Sequence, residues 1–580
     1  MRSAREPGQA VEVLAVLAVR LLPVFERGLA AREVAGGDLQ PDRARELAGE
    51  ERGWREAQDE ECGSPAQEGP SRAARGGVEV RLAHPPRRLH TACRDPAFPG
   101  GAGPRERQYL ERMSPRRSAS EWRRFYDHPS VRSRHREYLG GRDLDSSPTV
   151  FLTSPTPRPE RTDDFRPVTD LEAMLQSELE VARSLWDREF LLVHLDIEHV
   201  HFDSPWEPLL YPKRSLFVQR DVVAAIRALL SEFGIEALHL LTGRGHHFVW
   251  KVGRQSAAFQ ALARLANLGP SLEKAYAAPQ PPHGETVGEA GAAWDGLGKV
   301  MEFAAHRILA VSEHSPVPVE LTAVVVGPGA HGREIVAIDL SEYADPLHKR
   351  AIRLPFTAYL KAEHHGWAPP LPAALPRLVA IPDPGDEEEG ICLMRDLDLA
   401  AAFAHQTQTT IPDASLAMEG LVAAYEASEL AAFHRRYEAQ EPDPPELWFS
   451  SYDRIDLGAL PACAARILEH PNDLLLQPGA LQLLVRVLLA QGWQARHIAG
   501  LIRSRYERPY GWLKDFHFHD PTLRAEVYTR IFAGLIALGH DQAVDFNCTS
   551  TQEKRLCPGT GCPWNLEALR TAAQSGGGHG

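Results

Sequence analysis

The sequence predicts an α+β core followed by an all-α C-terminal domain that carries a metal cluster. Apolar runs of strand length alternate with segments of helical period between about residues 150 and 365. After about residue 395 the chain turns almost wholly helical, with few β-branched runs. Four of the seven cysteines then crowd into the last 120 residues, an uneven spread unlike a secreted disulfide framework.

Each region has its own composition. Residues 1–112 are rich in Arg, Gly, Ala, Glu and Pro and hold no sustained period after one short helix, so they are expected to be a low-order leader with nothing catalytic in it. That helix, in VEVLAVLAVRLLPVF, is interrupted by Glu12 and Arg20, which argues against a signal peptide. Met113 opens MSPRRSASEWRRFYDHPSVRSRHREYLGG, with aromatic and basic residues at helical spacing, and is the expected start of the folded protein. A catalytic domain over 113–367 follows. In it Phe190–Leu195 predicts a strand, Phe217–Glu232 a helix, Ala237–Trp250 a strand–turn–strand, and Ser256–Leu268 a helix. The Pro/Gly-rich run APQPPHGETVGEAGAAWDGLG predicts a loop, and VPVELTAVVVG and EIVAIDL predict strands. Residues 368–394, Pro-rich and then acidic, predict a linker; 395–568 a helical domain; 569–580 a flexible tail.

Asp196 and Glu198 are the most informative residues of the core. Two residues apart at the end of an apolar strand, they project side by side on one face. Adjacent anions repel, so a divalent cation between them is the economical explanation, and Mg2+ or Mn2+ makes phosphoryl transfer the first chemistry to test. Downstream, TGRGHH sets a histidine pair after a glycine-bounded turn. Glycines allow close backbone approach to a phosphate, and a histidine there can donate to a phosphate oxygen; a tight hairpin with exposed histidines meets the same pattern. Asp339 ends EIVAID and is a third carboxylate. Arg353 and Lys361, eight residues apart around a Pro-Phe turn, suit a triphosphate clamp, although an Asp beside Arg and Lys is ordinarily a surface ion pair.

The ordered set resembles the archaeo-eukaryotic primase superfamily. An apolar run ending in D-x-D/E is matched by Asp196 and Glu198, a small residue before x-His by Gly245-His246-His247 with Arg244 preceding, and an apolar residue and Asp by Ile338-Asp339. The later R/K-x-P-F/G-S-x-H-x-K pattern is matched at Arg353, Pro355, Phe356 and Lys361, while Thr357 stands at the Ser and Tyr359 where many members carry His. The resemblance covers about residues 130–365. It implies an RRM-like palm in which Asp196, Glu198 and Asp339 hold two Mg2+ or Mn2+ ions, and Arg244, His247, Arg353 and Lys361 bind the nucleotide.

The C-terminal cysteines are Cys463 in LPACAARIL and Cys548, Cys557 and Cys562 in FNCTSTQEKRLCPGTGCPW. Four thiolates complete a tetrahedral zinc site or hold an iron–sulfur cubane; a core role for Cys463, with the last three binding zinc or nothing, stays open. The order of LPACAARIL, a long apolar helical stretch and a cysteine trio ending in G-C-P-aromatic resembles the C-terminal domain of the primase large subunit, which implies a [4Fe–4S] cluster with Zn2+ as the alternative. Arg496, His497, Arg503, Arg505 and Arg508 suit either a DNA groove or a solvated basic face.

Together the two resemblances imply a single-chain DNA primase-polymerase. Its partners would be a single-stranded DNA template and nucleoside triphosphates, with a replicative helicase as a further candidate. An end-joining or gap-filling polymerase that does not initiate, and a non-catalytic single-stranded DNA-binding factor, are the alternatives. The net charge of −14 does not decide among them, because binding follows local basic grooves. No apolar stretch reaches the ~18 residues of a membrane span, so no membrane partner and a cytoplasmic location are expected.

Overall fold

A computed structural model of the chain describes residues 118–154, 165–312, 314–324, 333–360, 377–508, 510, 519–559 and 561–576. The expected leader lies outside these residues, as does Lys361. The described part is mixed: sheets form its first half and helices dominate its second.

The strands are β1 Leu152–Thr153, β2 Ala182–Ser184, β3 Phe190–His201, β4 Leu238–Leu241, β5 Gly245–Gly253, β6 Val319–Leu321, β7 Glu334–Asp339, β8 Ala351–Arg353, β9 Ala358–Tyr359, β10 Leu378–Val379 and β11 Ile381–Pro382. Six build the main sheet in the order β11-β4-β5-β3-β7-β6, antiparallel except for the β6–β7 pair. A three-stranded sheet, β1-β2-β8, and the β9–β10 pair complete the set.

Strand β3 runs well past the apolar stretch that predicts it. Its first part pairs with β5 over Phe190–Glu198 and its last part with β7 over Asp196–His201, so only Asp196, Ile197 and Glu198 are flanked on both sides. The acidic pair therefore sits in mid-strand at the overlap of three strands, and not at a strand end. Hydrogen bonding from both neighbours holds these residues extended where hydropathy alone predicts a boundary.

Helices α1 (Ala119–Tyr126) and α2 (Pro129–Leu139) come first, the former closed by a Ser118/Glu121 capping box. Helix α3 (Pro212–Phe233) buries Val222, Ile226, Leu229 and Leu230 along one stripe and stops at Gly234, whose φ of 68° terminates it. Helix α4 is Ala257–Arg264 and helix α5 is Glu289–Val311. The first part of α5 falls in the run expected as a loop. Its glycines serve packing: a Cβ on Gly296 would lie 2.0 Å from the Leu262 carbonyl oxygen of α4. Close helix contact offsets the low helix propensity of glycine.

The described part of the expected linker, residues 377–394, is built into the core. Within it β10 pairs with β9, β11 forms an edge of the main sheet against β4, and Glu387–Arg395 forms helix α6, capped by Asp386. Prolines mark this edge because an edge strand tolerates a missing donor. Beyond it lie α7 (Ser415–Glu426), α8 (Glu429–Glu438), α9 (Ala462–Glu469), α10 (Pro478–Ala490), α11 (Ala495–Tyr506), α12 (Pro521–Ala537), α13 (Cys548–Glu553) and α14 (Leu566–Gly576). Helix α14 reaches into the expected tail, since LEALRTAA is made of good helix formers.

The helical half packs against the sheet half. Lys251 on β5 hydrogen-bonds Pro412 and Ala414 through its backbone, Gly253 donates to Ser415 Oγ at 2.8 Å, and Trp250 Nε1 donates to Met418 sulfur at 3.3 Å. Deeper, Glu302 of α5 accepts from Arg530 Nε of α12 at 2.9 Å and lies 3.2 Å from His434 Nε2 of α8. All the described residues fall in one packing unit. Among them, no helix is long and apolar enough to cross a membrane.

Candidate active site

Register across the main sheet assembles the site. His247 of β5 and Asp339 of β7 are both cross-strand partners of Asp196, and Leu240 of β4 continues the row. Cross-strand partners share a face, so His247, Asp196 and Asp339 stand abreast on three adjacent strands. Glu198 and His194, two residues either side of Asp196, project on the same face. His247 Nε2 lies 3.4 Å from Asp196 Oδ1, and the rings of His194 and His247 meet edge to face at 4.5 Å. The other histidine of the pair, His246, points behind the sheet. There it lies 2.9 Å from His239 Nε2, and burial next to His239 holds its pKa down to about 3.

The turn before β5 explains its glycines differently from a phosphate cradle. A Cβ on Gly243 would sit 2.6 Å from the Tyr359 ring, and one on Gly245 would sit 1.8 Å from the Ile197 carbonyl oxygen. Both glycines let protein approach protein. Gly245→Ala should therefore destabilise the fold by about 3 kcal/mol, measured as a fall in urea midpoint. Gly420→Ala, whose Cβ meets Phe233 at an ordinary 3.5 Å, should leave it unchanged or raise it.

Arg244, at the tip of the turn, forms an ion pair with Glu198. Burial works against its charge, but Glu198, Tyr359 and Asp196 outweigh that and raise its pKa. The small sheet supplies the opposite wall. A cleft of about 140 Å³ is lined by the carboxylates Asp196, Glu198 and Asp339 and by His247, Arg350 and Arg353. Arg353 contacts Glu180, and its guanidinium lies 4.4 Å from the centre of the Tyr359 ring. Its buried Nε has no hydrogen-bond partner among the described residues. Burial lowers its pKa to about 10, which leaves it a cation at neutral pH.

Three further groups enter the cleft that the sequence motifs do not single out: His194, Glu342 and Arg350. Glu342 Oε2 lies 3.0 Å from His194 Nδ1. Burial disfavours the charged ring, yet Glu342 and Asp196 outweigh it and raise the His194 pKa. Arg350 Nη1 donates to Asp345 Oδ2 at 2.9 Å; opposing its desolvation, Asp345, Glu342 and Asp339 hold its pKa up.

The donor set divides by chemistry. Asp196, Glu198 and Asp339 offer the hard oxygens that suit Mg2+ or Mn2+. One ligand atom from each of His194, Asp196 and His247 lies within 4.8 Å of the others. Comparison with protein families, with curated proteins and with solved structures finds no match to this chain.

In the helical half, the Ala462 N–H donates to Cys562 Sγ at 3.5 Å, which sets Cys562 at the start of the helix that carries Cys463. Burial, with Cys557 and Cys562 nearby, pushes the Cys463 thiol up to about 12. Cys548 opens α13. Among the described residues, no three of these sulfurs lie within 4.8 Å of one another. The basic residues of α11 and its C-terminal flank are engaged internally. Arg505 and Arg508 both pair with Asp453, Arg503 with Glu507, and Arg496 with Glu526 and the Glu438 carbonyl. His497 Nδ1 lies 3.3 Å from Tyr452 Oη. Each of these four arginines thus has an acidic partner within the chain.

Proposed function

We propose that this chain is a primase-polymerase, catalysing template-directed nucleotidyl transfer on single-stranded DNA. The observation that carries the reading is the row His247, Asp196, Asp339 facing a cleft whose other wall holds Arg350 and Arg353. Carboxylates opposite guanidinium groups are what a metal–triphosphate complex requires. Asp196, Glu198 and Asp339 supply the donors for two divalent ions, Mg2+ or Mn2+, whose chemistry when bound is activation of a 3′-hydroxyl and neutralisation of a triphosphate. Arg353, with its unpartnered Nε, binds a phosphate oxygen, and His247 donates to another. Arg244 holds Glu198 in place, and Tyr359 orients Arg353 by stacking. The sheet β1-β2-β8 covers the cleft and limits water around the phosphates. Lys361 completes the nucleotide-binding set by its sequence position.

Cys463, Cys548, Cys557 and Cys562 are the proposed ligands of a [4Fe–4S] cluster, with Zn2+ as the alternative. A buried thiol such as Cys463 becomes a thiolate only against metal charge. A single-stranded DNA template, nucleoside triphosphates and a helicase would be partners in the cytoplasm. The internal pairing of Arg496, Arg503, Arg505 and Arg508 favours a second reading: a polymerase that extends and does not initiate.

Synthesis on unprimed single-stranded DNA with labelled nucleotides tests both readings, beside Asp196→Ala/Glu198→Ala. Short products from the unmutated chain alone support priming. Products only from a supplied primer support the second reading. Absence of products in both assays overturns nucleotidyl transfer.

A further inference from the structure

His194 is the cleft residue that nucleotidyl transfer leaves without a task. It is 6% exposed, and it shares a face of β3 with Asp196. A carboxylate accepts and does not donate, so the 3.0 Å contact with Glu342 Oε2 fixes the proton on Nδ1. Nε2 then carries the lone pair. It is buried, and it has no hydrogen-bond partner among the described residues. Leaving such an acceptor unsatisfied is costly unless something binds it.

We propose that His194, Asp196 and His247 form a two-histidine, one-carboxylate site that takes a borderline divalent transition ion in preference to Mg2+. Imidazole nitrogen suits Co2+, Ni2+ and Zn2+, and Mn2+ accepts it more readily than Mg2+, which demands oxygen ligands and dehydrates reluctantly. Glu342 behind His194 is the outer carboxylate that metal-bound histidines carry, orienting the ring and raising its basicity. The 3.4 Å between His247 Nε2 and Asp196 Oδ1 lies within the span of two ligands on one ion. The inference shares Asp196 and His247 with the reading above, and His247 can serve both because a neutral imidazole ligates through one nitrogen and donates through the other. It identifies the ion at that carboxylate as one that accepts nitrogen.

The test titrates the full chain with Co2+ in excess Mg2+ and follows the visible bands of nitrogen- and oxygen-bound cobalt. Those bands are distinct from the near-ultraviolet thiolate band that cysteine binding would add. One equivalent is expected to bind at this site. His194→Gln should weaken it at least tenfold, and Glu342→Gln by about 10- to 100-fold. Pulsed EPR of the unmutated chain with Mn2+ should show nitrogen coupling from directly bound imidazole, a readout that does not depend on any variant folding. Absence of nitrogen coupling overturns the site, as does Co2+ affinity within twofold of the unmutated chain in a folded His194→Gln. A chain that binds Co2+ as expected yet incorporates no nucleotide retains the metal site and overturns only the polymerase reading.

Discussion

Asp339→Asn is expected to lower nucleotide incorporation by about three orders of magnitude, roughly 4 kcal/mol of transition-state stabilisation, while the fold survives. Asp339 Oδ1 accepts the Ser341 N–H at 2.9 Å, and an asparagine oxygen can accept the same bond. The substitution therefore removes a charge and little else. That charge stands beside Asp196 in register, so its loss relieves repulsion and leaves stability unchanged or slightly raised. Single-turnover incorporation on a primed template, compared with the urea midpoint of the same variant, checks both halves. Activity within tenfold of the unmutated chain would remove Asp339 from the metal-binding set.

The largest stability effect is expected at Glu302. It is fully buried, paired with Arg530 and close to His434, and it joins α5 of the sheet half to α8 and α12 of the helical half. Glu302→Leu leaves the Arg530 guanidinium buried without its carboxylate and should cost about 3–5 kcal/mol. Glu302→Leu/Arg530→Met should recover most of that, because two apolar side chains leave no uncompensated charge. Burial opposes ionisation of Glu302, but His434 and Arg530 outweigh it and hold the pKa down to about 2. A carboxylate depressed in the fold stabilises it above the unfolded value of ~4.3, and that contribution is lost as the pH falls towards 2. His434, held below its ordinary value by burial, acts in the same direction, since the unfolded chain takes up its proton first. The urea midpoint of the unmutated chain should fall on acidification, and that of the double variant should fall less. A single variant that costs under 1 kcal/mol would show that the two halves do not depend on this junction.

The residue types of the candidate site are legible in the sequence, and their spatial arrangement is only partly so. The common face of Asp196 and Glu198 follows from the two-residue period of a strand. The placing of His247 and Asp339 on either side of Asp196 does not, because strand register is set by tertiary packing. His194 lies on the same period, two residues upstream, and could have been found by that signal. Glu342 and Arg350 lie in or beside short 3₁₀ turns with no period to expose them. Composition misleads in two places. The glycines of 291–298 suggest a loop but serve a close helix crossing, and the prolines near 382 suggest a linker but mark a sheet edge. Arginines on α11 carry no sign in their own spacing that Asp453 and Glu526 take them up from elsewhere in the chain.

The seam between Lys251 and Ala414 bears on how this chain can be taken apart. Strand β5 carries His247 near one end, and at the other it is sewn to the first residues of the helical half. Cutting the chain after residue 367 would remove that seam together with β11, baring the β4 edge and freeing the rail on which His247 sits. Function cannot be apportioned between halves by truncation; side chains must be exchanged one at a time within the whole chain.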